Sequence, residues 1–178
     1  MARYLSLLDL WRRRTNLTGR LEARDLIEHA LECALGEKLI AHSARVIDIG
    51  SGAGFPGVPL AVVRPDLSVT PVEPRRKRVD FLRRVADEVP VANLHAPEAA
   101  LDALAPRSAD IATARAVGSI DRILQDSHFL SSDGLFLAWT TDASALAGCL
   151  APWFSLEQRL PVPTSRKKVI ASFRKKGS

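Results

Sequence analysis

The chain has 178 residues, 47% hydrophobic and 25% charged, with a formal net charge of +5. That is enough for one domain with a real core, and no apolar run approaches the roughly 20 residues that span a bilayer. Two cysteines, Cys33 and Cys149, lie far apart in apolar surroundings and read as buried thiols of a reducing cytoplasm, with no disulfide or metal pattern.

Residues 3–14 carry Leu5, Leu8, Leu10 and Trp11 at helical spacing, and Asn16-Leu17-Thr18-Gly19 interrupts them. Asp25 is placed to cap a second helix near 26–35, with Ile27, Ala30, Leu31 and Ala34 on one face, ended by Gly36. Residues 1–43 therefore read as a helical extension packed on an α/β core over 44–178, together one domain. From there strand and helix patterns alternate. Strands are expected at 45–49, 68–73, 91–95, 111–115 and 135–140, then an antiparallel pair at 153–160 and 167–173. Helices are expected at 57–63, 75–88, 97–104, 119–129 and 143–150. This order predicts a mostly parallel seven-stranded sheet with helices on both faces.

The most informative stretch is Val46-Ile47-Asp48-Ile49-Gly50-Ser51-Gly52-Ala53-Gly54-Phe55-Pro56-Gly57. A β-branched run is broken by glycines and followed by an apolar helical run. That is a first βα turn, where glycines allow positive φ and close approach of a ligand. The spacing is Asp-x-Gly-x-Gly-x-Gly, with no Lys-Ser or Lys-Thr, so it is no phosphate loop. A carboxylate beside the loop disfavours a pyrophosphate and suits an ammonium or hydroxyl. S-adenosylmethionine (SAM) fits that description. Glu73, 25 residues after Asp48, sits at a strand end where an acid accepts hydrogen bonds from ribose hydroxyls. By itself Glu73 does not separate SAM from a dinucleotide. Basic clusters at Arg12-Arg13-Arg14, Arg75-Arg76-Lys77-Arg78, Arg166-Lys167-Lys168 and Arg174-Lys175-Lys176 suit an RNA partner.

The run from Asp48 to Ala61, with Arg64-Pro65-Asp66-Leu67 and Lys77-Arg78-Val79-Asp80-Phe81-Leu82, resembles the bacterial small-subunit ribosomal RNA guanine-N7 methyltransferases, the glucose-inhibited division protein B family. The Gly-Phe-Pro-Gly continuation is the specific part. Trp11 with Thr15-Asn16-Leu17-Thr18, His29 to Cys33, and Thr113-Ala114-Arg115-Ala116 are similar to further family segments. The resemblance implies a class I SAM-dependent methyltransferase (Rossmann-like) fold and transfer of a methyl group to guanine N7 in small-subunit ribosomal RNA; a cytoplasmic location is the default set by the cysteines, and a monomer is favoured. It implies cofactor binding by Asp48, Gly50, Ser51, Gly52, Gly54, Phe55, Glu73, Pro97, Glu98 and Arg115. RNA contacts fall to Arg12, Asn16, His29, Arg115, Trp139 and Arg166. The family has Lys-Gly where this chain has Trp139-Thr140, and Trp139 reads equally as a platform for a flipped base or as a plain core residue. Two alternatives stay open: a family member that binds SAM or RNA with altered catalysis, or a methyltransferase of this fold with another RNA or small-molecule acceptor. No residue is assigned a catalytic acid–base role, since guanine N7 carries no proton to remove.

Overall fold

The computed structural model describes residues 1–15, 17–19, 21–98 and 100–177. Two helices, α1 (Ala2–Arg12) and α2 (Ala23–Ala34), lead into an alternation of strand and helix: β1 (Arg45–Ile49), α3 (Gly57–Val63), β2 (Ser68–Val72), α4 (Arg76–Glu88), β3 (Ala109–Arg115), α5 (Ile120–Gln125), β4 (Leu130–Thr140), α6 (Ala143–Leu150), β5 (Phe154–Pro161) and β6 (Val169–Lys175). Six strands form one sheet in the order β2-β1-β3-β4-β6-β5. The pairs from β2 to β4 are parallel, while β6 is antiparallel to both β4 and β5. Among the described residues no helix is long and apolar enough to cross a membrane.

The fold class agrees with the sequence, but among the described residues the sheet has six strands, where seven were expected. Residues 91–98 make only isolated parallel bridges to β2, Val69 with Leu94 and Val72 with Glu98. Val69 N–H donates to Asn93 O, His95 N–H to Val69 O, and Glu98 N–H to Pro71 O. Pro71 stands between the two bridges and has no N–H to give, so the middle rung of that ladder cannot form. The helix expected at 97–104 is reduced to a 3-10 turn, Leu101–Ala103.

Strand alternation decides which side chains face which helices. Val46, Ile111 and Leu137 face the layer built by α1 to α4, with Tyr4, Leu8, Leu26, Cys33, Leu60 and Phe81. Ile47, Ile49, Ala112 and Phe136 face α5 and α6, with Leu124 and Leu150. The expected apolar face of α2 is rotated. Leu26, Ala30 and Cys33 are buried, whereas Ile27 and Leu31 are 50% and 59% exposed. A polar residue, Glu32, takes the buried side. The helix is entered through a capping box, with Glu22 N–H donating to Asp25 Oδ2. Cys33 is buried as expected, but Cys149 is exposed on α6.

Candidate cofactor and acceptor site

The glycine turn after β1 is held by a dense set of hydrogen bonds. Gly50 and Ser51 N–H both donate to Val72 O at the end of β2. Ser51 Oγ donates to Asp48 O (2.7 Å) and accepts from Val72 N–H (3.2 Å). Gly50, Gly52 and Gly54 all have positive φ, where a side chain would be strained. At Gly54 a Cβ would also stand 2.7 Å from Val58 and 3.1 Å from the Tyr4 hydroxyl. The turn is thus drawn onto α1 as well as onto the sheet. Tyr4 Oη donates to Ala53 O (2.7 Å), and its ring meets Phe55 edge-on at 5.8 Å. Burial pushes the Tyr4 hydroxyl well above its ordinary value. Sequence reasoning missed Tyr4; its spacing from Leu7 and Leu8, which marks the buried face of α1, was the available signal.

Asp48 is placed differently from its expected role. It is fully buried, and alternation puts it beneath α3 on the face of Val46. Its Oδ1 accepts from Thr113 Oγ1 (2.9 Å) and its Oδ2 from Gly57 N–H (3.1 Å), at the start of α3. Gly57 is required there, because a Cβ would come within 2.7 Å of Asp48 Oδ2. Burial raises the Asp48 carboxyl to about 6, against the hydrogen bonds from Thr113, Ser51 and Gly57. The residue fastens β1, β3 and α3 together, and it does not line the cavity described next.

Glu73, just past β2, is 2% exposed. Its Oε2 accepts from Gly52 N–H (3.0 Å) and its Oε1 from Arg75 N–H (2.9 Å). Arg78 Nη1 lies 3.5 Å from Oε2. Beside this loop opens a cavity of about 280 Å³ lined by Gly50, Ser51, Gly52, Ala53, Phe55, His29, Arg78 and Arg115, with Leu17, Thr18 and Leu21 closing it from the N-terminal side. It lies past the carboxyl ends of β1 and β3, where the strand order reverses, which is the usual ligand crevice of an open α/β sheet. Of the pair Glu73 and Arg78, Arg78 is the one that lines the wall. Pro97 and Glu98 do not line it. Pro97 is buried and Glu98 exposed; the backbone there runs beside Glu73, whose N–H donates to Glu98 O (3.0 Å).

Arg115 ends β3 on the side that faces α2. Its guanidinium carbon stands 5.7 Å over the Phe55 ring, Nη1 donates to Cys33 Sγ (3.4 Å), and Nη2 lies 3.6 Å from Glu32 Oε2. Burial pushes the Cys33 thiol up to about 12 despite that cation. His29 meets Phe55 edge-on at 6.1 Å. Its pKa is lowered, first by burial and then by the charge of Arg115, so neutral imidazole is favoured in the cavity. A second cavity, about 260 Å³, shares Arg115 and Ala116 with the first and adds Glu32, Trp139, Thr140, Val162 and Lys168. Glu32 is its hub. Lys168 Nζ donates to both oxygens (2.8 and 3.0 Å) and Thr164 Oγ1 to Oε1 (3.0 Å). Burial would raise the Glu32 carboxyl, but the hydrogen bonds from Lys168 and Thr164 outweigh it and the pKa is lowered. Sequence reasoning did not find this network, since its members are 132 and 136 residues apart.

Trp139 ends β4 on the same face. Its indole Nε1 donates to Glu32 O (3.0 Å), and its ring packs on Gly36, so it joins α2 to the sheet while forming one wall of the second cavity. Arg12 lines neither cavity. It donates to Asp9 Oδ1 (2.8 Å) and to Leu21 O. Arg166 is exposed on the turn before β6. Asn16 lies outside the described residues. A further cavity, about 560 Å³, is lined by Arg3, Pro65 and Asn93 among others and contains no residue of the glycine loop.

The sequence profile of the GidB family, described as rRNA small subunit methyltransferase G, matches residues 1–146. The chain belongs to this family. Ribosomal RNA small subunit methyltransferase G of Halorhodospira halophila is 35% identical over 136 residues, covering 76% of this chain and 65% of the relative. Its counterpart from Mycobacterium sp. (strain JLS) is 43% identical over 109 residues, covering 60% and 47%. The chain thus spans about two thirds or less of the length of these rRNA small subunit methyltransferase G relatives. A SAM-dependent methyltransferase from Aquifex aeolicus has a similar fold, with a TM-score of 0.65 at 13% identity over 81% of this chain and 90% of that one. In this member of the GidB family the glycine turn and Arg115 line one crevice, while Glu73 lies behind its wall, tied to Gly52 N–H and facing Arg78. Asp48 stands beneath that crevice as a structural tie.

Proposed function

We propose that the protein is a SAM-dependent methyltransferase that transfers a methyl group to N7 of a guanine in small-subunit ribosomal RNA, acting as a cytoplasmic monomer. In this reading the chain works as one domain, with the helices of residues 1–43 completing the site. The observation that carries it is the crevice at the carboxyl ends of β1 and β3, with three positive-φ glycines, in a chain of this family.

The donor set fits SAM. A carboxylate has about four acceptor positions, and Glu73 uses them on only two backbone N–H groups and the Arg78 cation. It can therefore also accept from ribose hydroxyls once Arg78 yields. Arg115 offers planar donors suited to the carboxylate of an amino-acid group. Phe55 supplies an apolar wall beside Gly54. Two acids near the loop, Asp48 and Glu73, disfavour a pyrophosphate. When bound, SAM supplies an electrophilic methyl group on a sulfonium.

The chain's own work is then to hold and align. Guanine N7 attacks through a lone pair, so no general base is required and positioning carries the rate. Arg115, shared by both cavities, aligns the two reactants. Trp139 and Ala116 bound the acceptor side. Neutral His29 adds no like charge next to Arg115.

Calorimetric titration with SAM tests the cofactor half. Binding is expected for the natural chain, and Glu73→Ala should weaken it about tenfold or more, equivalent to about 1.4 kcal/mol. No binding at millimolar SAM overturns the reading. Mass spectrometry of small-subunit rRNA from a deletion strain tests the acceptor. One N7-methylguanine should disappear, and an unchanged pattern refutes the RNA assignment.

A further inference from the structure

The four cationic clusters of the sequence fare differently in the fold. Arg12 and Arg13 both pair with Asp9. Arg174 is held by Glu157, and Lys175 and Lys176 donate to the carbonyls of Ser127 and Ala151. Lys168 is held by Glu32. By contrast, Arg75, Arg76 and Lys77 are exposed, and among the described residues their side chains have neither an ion pair nor a hydrogen bond. The same is true of Arg166 and Lys167. The first group opens α4, which has no acidic residue in its first turn and no side-chain cap. Adjacent cations at the positive end of a helix dipole repel it and one another. The fold gains nothing from them there.

Topology puts both free groups on one edge. Arg75 follows the carboxyl end of β2, whose Val72 pairs with Ile49. The turn holding Arg166 and Lys167 precedes Val169, which pairs with Thr140 at the carboxyl end of β4. Between β2 and β6 stand β1, β3 and β4, hence four strand spacings, or roughly 19 Å. The two cavities open within that interval.

We propose that this edge is a two-sided phosphate clamp for RNA. Arg75, Arg76 and Lys77 hold the backbone on one side of the acceptor nucleotide, and Arg166 and Lys167 hold it on the other. The clamp rests on the RNA acceptor proposed above. Each phosphate neutralised by such a cation releases a counterion, so the contacts set the salt dependence of binding.

The test is binding of a labelled small-subunit rRNA transcript across a series of KCl concentrations. The proteins compared are the natural chain, Arg75→Gln/Arg76→Gln/Lys77→Gln, Arg166→Gln/Lys167→Gln, and the control Arg24→Gln, whose arginine is exposed but paired with Glu28. Each cluster variant should lose tenfold or more in affinity at about 0.1 M salt. The slope of log affinity against log salt should shrink by about 2 for the triple variant and about 1.4 for the double, at about 0.7 per single-stranded phosphate contact. The control should change the slope by less than either cluster variant, and SAM affinity should be unchanged throughout. Unaltered slopes in either cluster variant overturn the clamp while leaving the RNA acceptor standing. Loss of SAM binding in the cluster variants also overturns it, because the groups would then belong to the cofactor site or the fold. A natural chain that binds no rRNA overturns the clamp and the acceptor reading together.

Discussion

Two carboxylates with opposite environments set the residue scale. Asp48 is buried against neutral donors, and burial raises its carboxyl to about 6. The folded state therefore holds that proton more tightly than the unfolded chain. The resulting stabilisation is present at low pH and is lost as pH rises from about 4 to about 6, at most about 3 kcal/mol. Asp48→Asn should remove this component. The stability difference between the natural chain and Asp48→Asn, from urea unfolding at pH 4 and pH 7, should change by a few kcal/mol. A difference independent of pH would contradict it. Glu32 behaves in the reverse sense, since its pKa is lowered chiefly by Lys168 and Thr164 against burial. Its contribution is present above the ordinary carboxylate range and is lost as pH falls through the folded-state value. Both acids were visible in the sequence, Asp48 in the glycine-loop pattern and Glu32 only within the family-like segment from His29 to Cys33, which does not reveal its partners. Glu32 sits in a helix whose apolar residues Ile27 and Leu31 suggest another buried face.

At the scale of elements, the site is made where α2 meets the strand ends. Arg115 on β3 and Trp139 on β4 are in register neighbours, and alternation turns both towards α2. The chain makes room for the indole with a glycine. A Cβ on Gly36 would come 2.5 Å from Trp139 Cζ2 and 2.8 Å from Cη2. Gly36→Ala should therefore destabilise the protein by about 1–3 kcal/mol through overpacking, in spite of the gain in backbone preference. Chemical unfolding measures this, and an alanine variant as stable as the natural chain would show that the indole moves freely. Tight packing also makes Trp139 a joint between elements as well as a cavity wall. Its N–H is committed to Glu32 O and one ring edge to Gly36. Sequence patterns located β3, β4 and α2 within a few residues, yet the contact between them was not readable. Periodicity gives each element a face, and it does not say which element the face meets.

For the whole molecule, the tie from Glu32 to Lys168 and Thr164 joins the N-terminal helices to the C-terminal hairpin across the second cavity. Removing Glu32 leaves Lys168 without its ion-pair partner, and removing Lys168 leaves Glu32 only Thr164 and the more distant Arg115 cation. Glu32→Gln and Lys168→Met should each destabilise by about 2 kcal/mol, below the ~3–5 kcal/mol of a fully buried pair because Lys168 is partly exposed. The double variant should cost clearly less than the sum, with a coupling of about 0.5–3 kcal/mol. Additive losses would mean that the two ends are not linked through this pair.

The sequence by itself determined the α/β class, the glycine turn after β1, the acid at the end of β2 and the family. These are local facts, written in hydrophobic period and in glycine spacing that a backbone turn demands. Tertiary structure decided the rest. Pro71 removed a rung and with it the seventh strand. Strand alternation sent Asp48 under α3 and away from the glycine cavity. Of the basic clusters, those of residues 12–14 and 174–176 are largely taken up in internal pairs, and Lys168 is held by Glu32. Arg75–Lys77 and Arg166–Lys167 were left free along one edge of the sheet. Whether a charged or polar side chain is a tie or a contact depends on partners tens of residues away, and only the folded packing supplies them.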